Sequence, residues 1–482
     1  MQTQTIVIIL SIYFSLILAI SYFTSKNADN KSFFVGNKQS PWWIVAIGMI
    51  GTSISGVTFI SVPGQVGKIG FAYFQMVLGY LVGYLFIGLV LMPLYYKLNL
   101  TSIYTYLEQR FGNVSYKTGA SFFLLSRTLG SAARLYLASL VFQAFVFDAL
   151  GIPFLISVAI ILILIYIYTY KGGIKTIIYT DTLLSIFLIV TPILSVYFIC
   201  KSLNLSILQA WDMLHVHQYN KIFYWNDFAL SKTHFFKQFI GGALIATAMT
   251  GLDQDLMQKN ISCKNIGEAQ KNMFSFVWIM LLVNFVFLFL GGLLYLYVAQ
   301  NNITMPLRTD LLYPTLALQH MGTAVGIMFI LGLTAAAFAS SDSAITSLTT
   351  SFCVDFLHFE KKEENKNLHA IRNYVHIGVS VVFMILIYVF WKVNNMATID
   401  LIFKIASYTY GPLLGMFLFG LFTNYKIKDN YAWIVCVIAP ILAWIVDYVL
   451  STNKIYVFGN ELLFVNGLFT FIGFWIIQKR ES

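Results

Sequence analysis

Apolar runs long enough to cross a bilayer follow one another along the whole chain, at roughly 5–23, 42–62, 72–96, 118–148, 152–170, 174–200, 237–256, 273–299, 322–356, 371–391, 397–423, 430–450 and 459–478. A helix needs about 20 apolar residues to span ~30 Å of hydrocarbon. Only 10% of the 482 residues are charged and 59% are hydrophobic, against about 25% charged in a soluble domain. So few charges cannot clothe a surface in water, and the bilayer is the solvent. Inside it every backbone amide must be paired within its own segment or in a closed barrel, and runs of this length select helices. The sequence therefore predicts an all-α integral membrane protein of about 13 transmembrane helices in a single domain, with no Pro-rich or Ser-rich linker. The opening run Thr5 to Phe23 has neither a basic leader nor a small-residue cleavage site and reads as a retained first span.

The basic residues orient the spans. With the amino terminus outside, Lys26, Lys31, Lys38, Lys97, Arg110, Lys117, Lys171 and Lys175 fall on the inner face. So do Lys259, Lys264, Lys271, Lys361, Lys362, Lys366, Arg372, Lys426, Lys428, Lys479 and Arg480, which makes nineteen of the 30 Lys and Arg. The positive-inside rule then sets an outer amino terminus and an inner carboxyl terminus in the inner membrane of the cell. Scattered over short loops, the net charge of +10 reads as orientation rather than as a nucleic-acid surface. Cys200, Cys263, Cys353 and Cys436 are far apart and read as unpaired thiols. His215 and His217, in a long polar loop without a third ligand, read as solvated rather than metal-binding.

Two spans are interrupted by glycine and hydroxyl residues. The second reads Gly48-Met49-Ile50-Gly51-Thr52-Ser53-Ile54-Ser55-Gly56, and the seventh carries Gly241-Gly242 and then Thr247-Ala248-Met249-Thr250-Gly251. Five spans separate them, the pattern of an inverted repeat whose halves each begin with a broken helix, and such helices mark a midplane binding site in transporters. Glycine also packs membrane helices closely. The hydroxyls beside the glycines favour a site, because unwound backbone is tolerated at that depth only where it lines a cavity. The ninth span holds Thr334, Ser340, Ser341, Asp342, Ser343, Thr346 and Ser347. Such hydroxyls either supply oxygens to a hard cation or bond back to their own helix.

Residues 248–258 (Ala-Met-Thr-Gly-Leu-Asp-Gln-Asp-Leu-Met-Gln), the ninth-span Ala-Phe-Ala-Ser-Ser-Asp-Ser, and Lys171-Gly172-Gly173-Ile174-Lys175 leading to Asp181 resemble the sodium/solute symporter family, in order and over nearly the whole chain. The resemblance is nearest to its sialic acid carrier-like members. It implies a five-plus-five inverted repeat of the leucine-transporter-like fold: a leading helix and inner loop over 1–41, repeats over 42–200 and 237–423, and two trailing helices over 430–482. It further implies a sodium ion held by the carbonyls of Gly51, Ile54 and Ala337 and the hydroxyls of Ser340 and Ser341. A second sodium would take Asp181, Ser340 and Ser343, although Ala344 stands where a further hydroxyl is expected. Asp342 could compensate or face a neighbouring helix.

Solute contacts carried over from the resemblance are Ser53, Ser55, Thr58 and Arg134, with Gln75 as a further candidate. The Arg134 guanidinium is a planar fork that fits a carboxylate, so the expected cargo is a carboxylate-bearing solute such as a sialic acid, taken up with sodium by alternating access. A neutral sugar, amino acid or vitamin is the alternative. Asp181, as an ionisable group inside a span, is a functional candidate, or else forms a structural ion pair with Arg134 or Arg127. Further rivals are a proton-coupled carrier relaying through Asp181 or Asp342, a membrane-embedded enzyme, for which the histidines are too dispersed, and a sensor. No organic cofactor is expected.

Overall fold

The computed structural model describes residues 3–26, 29–225, 227–359, 366–393 and 398–479. These are almost wholly helical, and among them the only β pairing is two isolated bridges. Eight unbroken helices are long and apolar enough to span a membrane. Three bent pairs raise the count among the described residues to eleven, and two shorter apolar helices, Phe154–Thr169 and Leu462–Ile476, stand where the fifth and thirteenth spans are expected. Lys361, Lys362 and Arg480, counted above on the inner face, lie outside the described residues.

The bends fall where small and hydroxyl residues cluster. In the second span Trp42–Ser53 and Gly56–Ile69 meet at 56°, with Ile54 at ψ 78° and Ser55 at ψ 175°. A helix that stops leaves the carbonyls of its last turn without an amide four residues on, so this break frees backbone oxygens from Gly51 onward. In the seventh span Phe235–Gly251 and Gln254–Ile261 meet at 64°, after a π-turn at Thr247–Gly251. The Asp253 carboxylate caps the second half by accepting from the Asp255 amide at 2.9 Å, a favourable place for negative charge. The third bend, 43°, separates Ile402–Thr409 from Gly411–Phe422 in the eleventh span.

One reading of the seventh span is corrected here. It was expected to end near residue 256 with Lys259 on the inner face, but the half-helix continues to Ile261 and buries Lys259 at 1% exposure. A bent span needs more residues than a straight one to cover the same depth, and an apolar run does not register its polar second half.

Glycines draw the helices together. Gly51, whose amide donates to Ser185 Oγ at 2.9 Å, lies so close to the ninth span that a Cβ there would sit 3.1 Å from Ala339 Cβ. Gly79 of the third span and Gly242 of the seventh interlock: added Cβ atoms would lie 2.0 Å from the Phe239 carbonyl oxygen and 2.1 Å from that of Met76. Gly242 thus packs helices, and the break comes ten residues later. Gly79→Ala or Gly242→Ala is expected to cost at least the ~1–3 kcal/mol typical of overpacking, read as a lower melting temperature in detergent. Gly378→Ala, where a Cβ meets nothing within 4 Å, should leave it unchanged; equal effects would refute the close seam.

Candidate functional site

A cavity open to solvent on one side lies at mid-bundle against the second-span break. Thr52, Ser53, Ser55 and Thr58 line it from that break, and Tyr73, Tyr80 and Tyr84 from the third span. Arg127 and Arg134 reach it from the fourth span, and Met249 and Thr250 from the seventh. The tyrosines fall on one helix face by their spacing of seven and four residues, a pattern open to sequence inspection but not singled out there. Their hydroxyls are linked, Tyr73 to Tyr80 at 3.3 Å and Tyr84 to Thr250 Oγ1 at 3.4 Å. Ser53 Oγ is buried without a hydrogen-bond partner among the described residues.

The two arginines differ in how their charge is met. Arg127 pairs with Asp255 and, at 3.7 Å, with Asp253. Arg134, in contrast, has no carboxylate within 4.0 Å among the described residues. Placing an unpaired guanidinium at this depth is costly, and a group that brings its own negative charge relieves that cost. Gln75 is not in the cavity. Its Nε2 donates to the carbonyls of Thr233 at 2.9 Å and Ala72 at 3.2 Å, and its Oε1 accepts from the Tyr224 amide at 3.1 Å, so it pins the loop after the sixth span.

Beside the same break lies a set of oxygens between the second, sixth and ninth spans. Ser340 Oγ donates to the Ala336 carbonyl at 2.9 Å, which leaves its lone pairs free. Ser341 Oγ is fully buried with no partner among the described residues, an expensive arrangement unless something else occupies the hydroxyl. An orphaned hydroxyl, a serine with free lone pairs and freed helix-end carbonyls are each the kind of oxygen a hard cation takes.

The second oxygen set departs from expectation. Asp181 Oδ2 accepts from Thr52 Oγ1 at 3.0 Å and pairs with Lys259 Nζ at 2.5 Å, so its partner is neither Arg134 nor Arg127. Lys259 Nζ also donates to Thr52 Oγ1. Ser343 Oγ donates to Asp255. Asp342 faces the fifth span, accepting from Tyr168 OH at 2.7 Å. The residues that sequence reading left without a role are therefore Lys259, Asp253, Asp255 and the tyrosines. His215, in the helix Ile207–Val216 rather than a loop, and His217 at its end are exposed, and no group of three His, Cys, Asp or Glu able to hold a metal is found among the described residues.

Broken helices that meet around a cavity lined by hydroxyls and arginines amid apolar side chains are the architecture of a secondary transporter. A model of the Sodium:solute symporter family matches residues 33–455, and the chain belongs to that family. It is 26% identical over 425 residues to the sodium/sialic acid symporter NanT of Aliivibrio fischeri, covering 86% of this chain and 82% of that one. It is 23% identical over 424 residues to the sodium/sialic acid symporter SiaT of Proteus mirabilis, covering 85% and 83%. A solved sodium-coupled sialic acid symporter in a substrate-bound, outward-open state superposes with a TM-score of 0.84 at 20% identity, over 99% of both chains. The fold is the leucine-transporter-like one expected. The protein is a multi-pass membrane symporter that couples a small solute to sodium, and it is not an enzyme.

Proposed function

We propose that the solute is a small carboxylate-bearing anion, a sialic acid first among them, held by Arg134 and the hydroxyl rim of Ser53, Ser55 and Thr58. The observation that carries this reading is the Arg134 guanidinium, directed at the cavity without a carboxylate of its own. The names of the two symporter relatives agree with it. Sodium binds between the freed carbonyls of Gly51 and Ile54, the Ala337 carbonyl, and the Ser340 and Ser341 hydroxyls, and so orders the second span against the ninth before solute enters. Residues 42–200 and 237–423 form the two repeats that rock about this site. The chain lies in the inner membrane with its amino terminus outside and its carboxyl terminus inside.

One sodium crossing 100 mV releases ~2.3 kcal/mol, but a monoanion carried with it gives that back, so a one-to-one cycle is driven by the sodium gradient alone, about 1.4 kcal/mol for a tenfold ratio. Uptake into proteoliposomes of a sialic acid, a simple monocarboxylate and glucose, each with and without an inward sodium gradient, tests the reading. Sodium-driven uptake of the sialic acid, at least ten times that of glucose, is expected. Preference for glucose would refute the acidic solute while leaving sodium coupling intact.

A further inference from the structure

We propose that the Lys259 ammonium is a built-in cation occupying the second ion site, so that this chain carries one sodium per solute. The inference rests on the sodium-coupled reading above and concerns only how many ions move.

Asp181, the one carboxylate of that site, is fully buried in the sixth span. Lys259, 78 residues further on, comes in from the second half of the broken seventh span and places Nζ 2.5 Å from Asp181 Oδ2. Thr52 closes the triangle: it donates to the same carboxylate oxygen at 3.0 Å and accepts from Lys259. The ammonium thus takes one carboxylate oxygen and one hydroxyl oxygen, two of the ligand types a sodium would use. A sodium ion added there would sit a few ångströms from a fixed positive charge in a medium of low dielectric, where like charges repel strongly.

Ser340 keeps its lone pairs free, but the rest of the second site is poorly supplied. Ser343 Oγ is turned towards Asp255, and position 344 is a fully buried alanine with no oxygen to give. Asp181 Oδ1 has no hydrogen-bond partner among the described residues, but its carboxylate is already neutralised by Lys259. The first site has no such competitor: Ser341 Oγ stays unpaired. A lysine tethered by its chain does the electrostatic work of an ion without leaving with the solute.

The test is the sodium-to-solute ratio of the full chain in proteoliposomes, taken from the sodium gradient that just balances a known solute gradient at fixed voltage. The wild type is expected to give a ratio of one and a Hill coefficient for sodium near 1. Lys259→Met leaves Asp181 uncompensated and should raise both towards 2, whereas Lys259→Arg should hold them at one. If Lys259→Met does not fold, Lys259→Met combined with Asp181→Asn removes both charges and should give a ratio of one. A wild-type ratio of two overturns the inference and spares sodium coupling. So does a Lys259→Met protein that folds and keeps a ratio of one with unaltered sodium dependence. Uptake indifferent to sodium in every variant would remove the coupling reading itself, and the inference with it.

Discussion

Arg134→Ala is expected to weaken binding of an acidic solute by about 100-fold or more. Truncating one partner of a buried, hydrogen-bonded charge pair costs about 2–5 kcal/mol, and each 1.4 kcal/mol is tenfold. Much of that is the cost of leaving the solute carboxylate unpaired in a cavity whose other guanidinium, on Arg127, is already held by Asp253 and Asp255. Arg134→Lys restores charge but not the fork, so an intermediate loss of about tenfold should follow. Equilibrium binding by calorimetry in saturating sodium separates this from transport defects. Because Arg134 has no carboxylate partner among the described residues, its removal should not lower the melting temperature of the solute-free protein. Unaltered affinity for the acid in Arg134→Ala would eliminate the carboxylate contact.

Ser341→Ala is expected to raise the sodium concentration for half-maximal uptake at least tenfold, with no loss of stability in sodium-free buffer. The two readouts point apart for a physical reason. A buried hydroxyl without a partner stabilises nothing in the empty protein, and replacing it by a methyl can even help. In the sodium site proposed above, however, it is one of only five oxygens. Ser340→Ala should raise the sodium requirement as well but also lower the melting temperature slightly, since its hydroxyl bonds to the Ala336 carbonyl at 2.9 Å, a contact worth ~1 kcal/mol. If Ser341→Ala destabilises the sodium-free protein and leaves the sodium requirement untouched, the hydroxyl is structural and the proposed cage fails.

Spans were legible in the sequence because one quantity, hydropathy over about 20 residues, decides what can sit in hydrocarbon. The second-span break was legible too, since glycine and serine crowd together between Gly51 and Gly56, and the chain bends between Ser53 and Gly56. Arg134 and the hydroxyls of Ser53, Ser55 and Thr58 could be placed on the cavity by resemblance because they lie within or next to continuous helix. Gln75 could not, because the backbone of Tyr224 and Thr233, which folds over its side chain, decides where it points. The Lys259–Asp181 pair was hidden for a different reason. Its members lie on separate helices, no periodicity links them, and a lysine after an apolar run looks like a topological charge until the bend that turns it inward is known.

The carboxylates at the start of the seventh span's second half form a clasp. Arg127 of the fourth span engages Asp253 and Asp255, Tyr410 at the eleventh-span bend donates to Asp253, and Ser343 of the ninth donates to Asp255. Four separate spans are thus tied at one level on the cavity's proposed inner side. If cargo leaves on that side the clasp must part, and three charged groups, Arg127, Asp253 and Asp255, must find water or new partners as it does. If the clasp closes that side, loosening it would let ions run downhill with nothing aboard, and tightening it would slow every delivery.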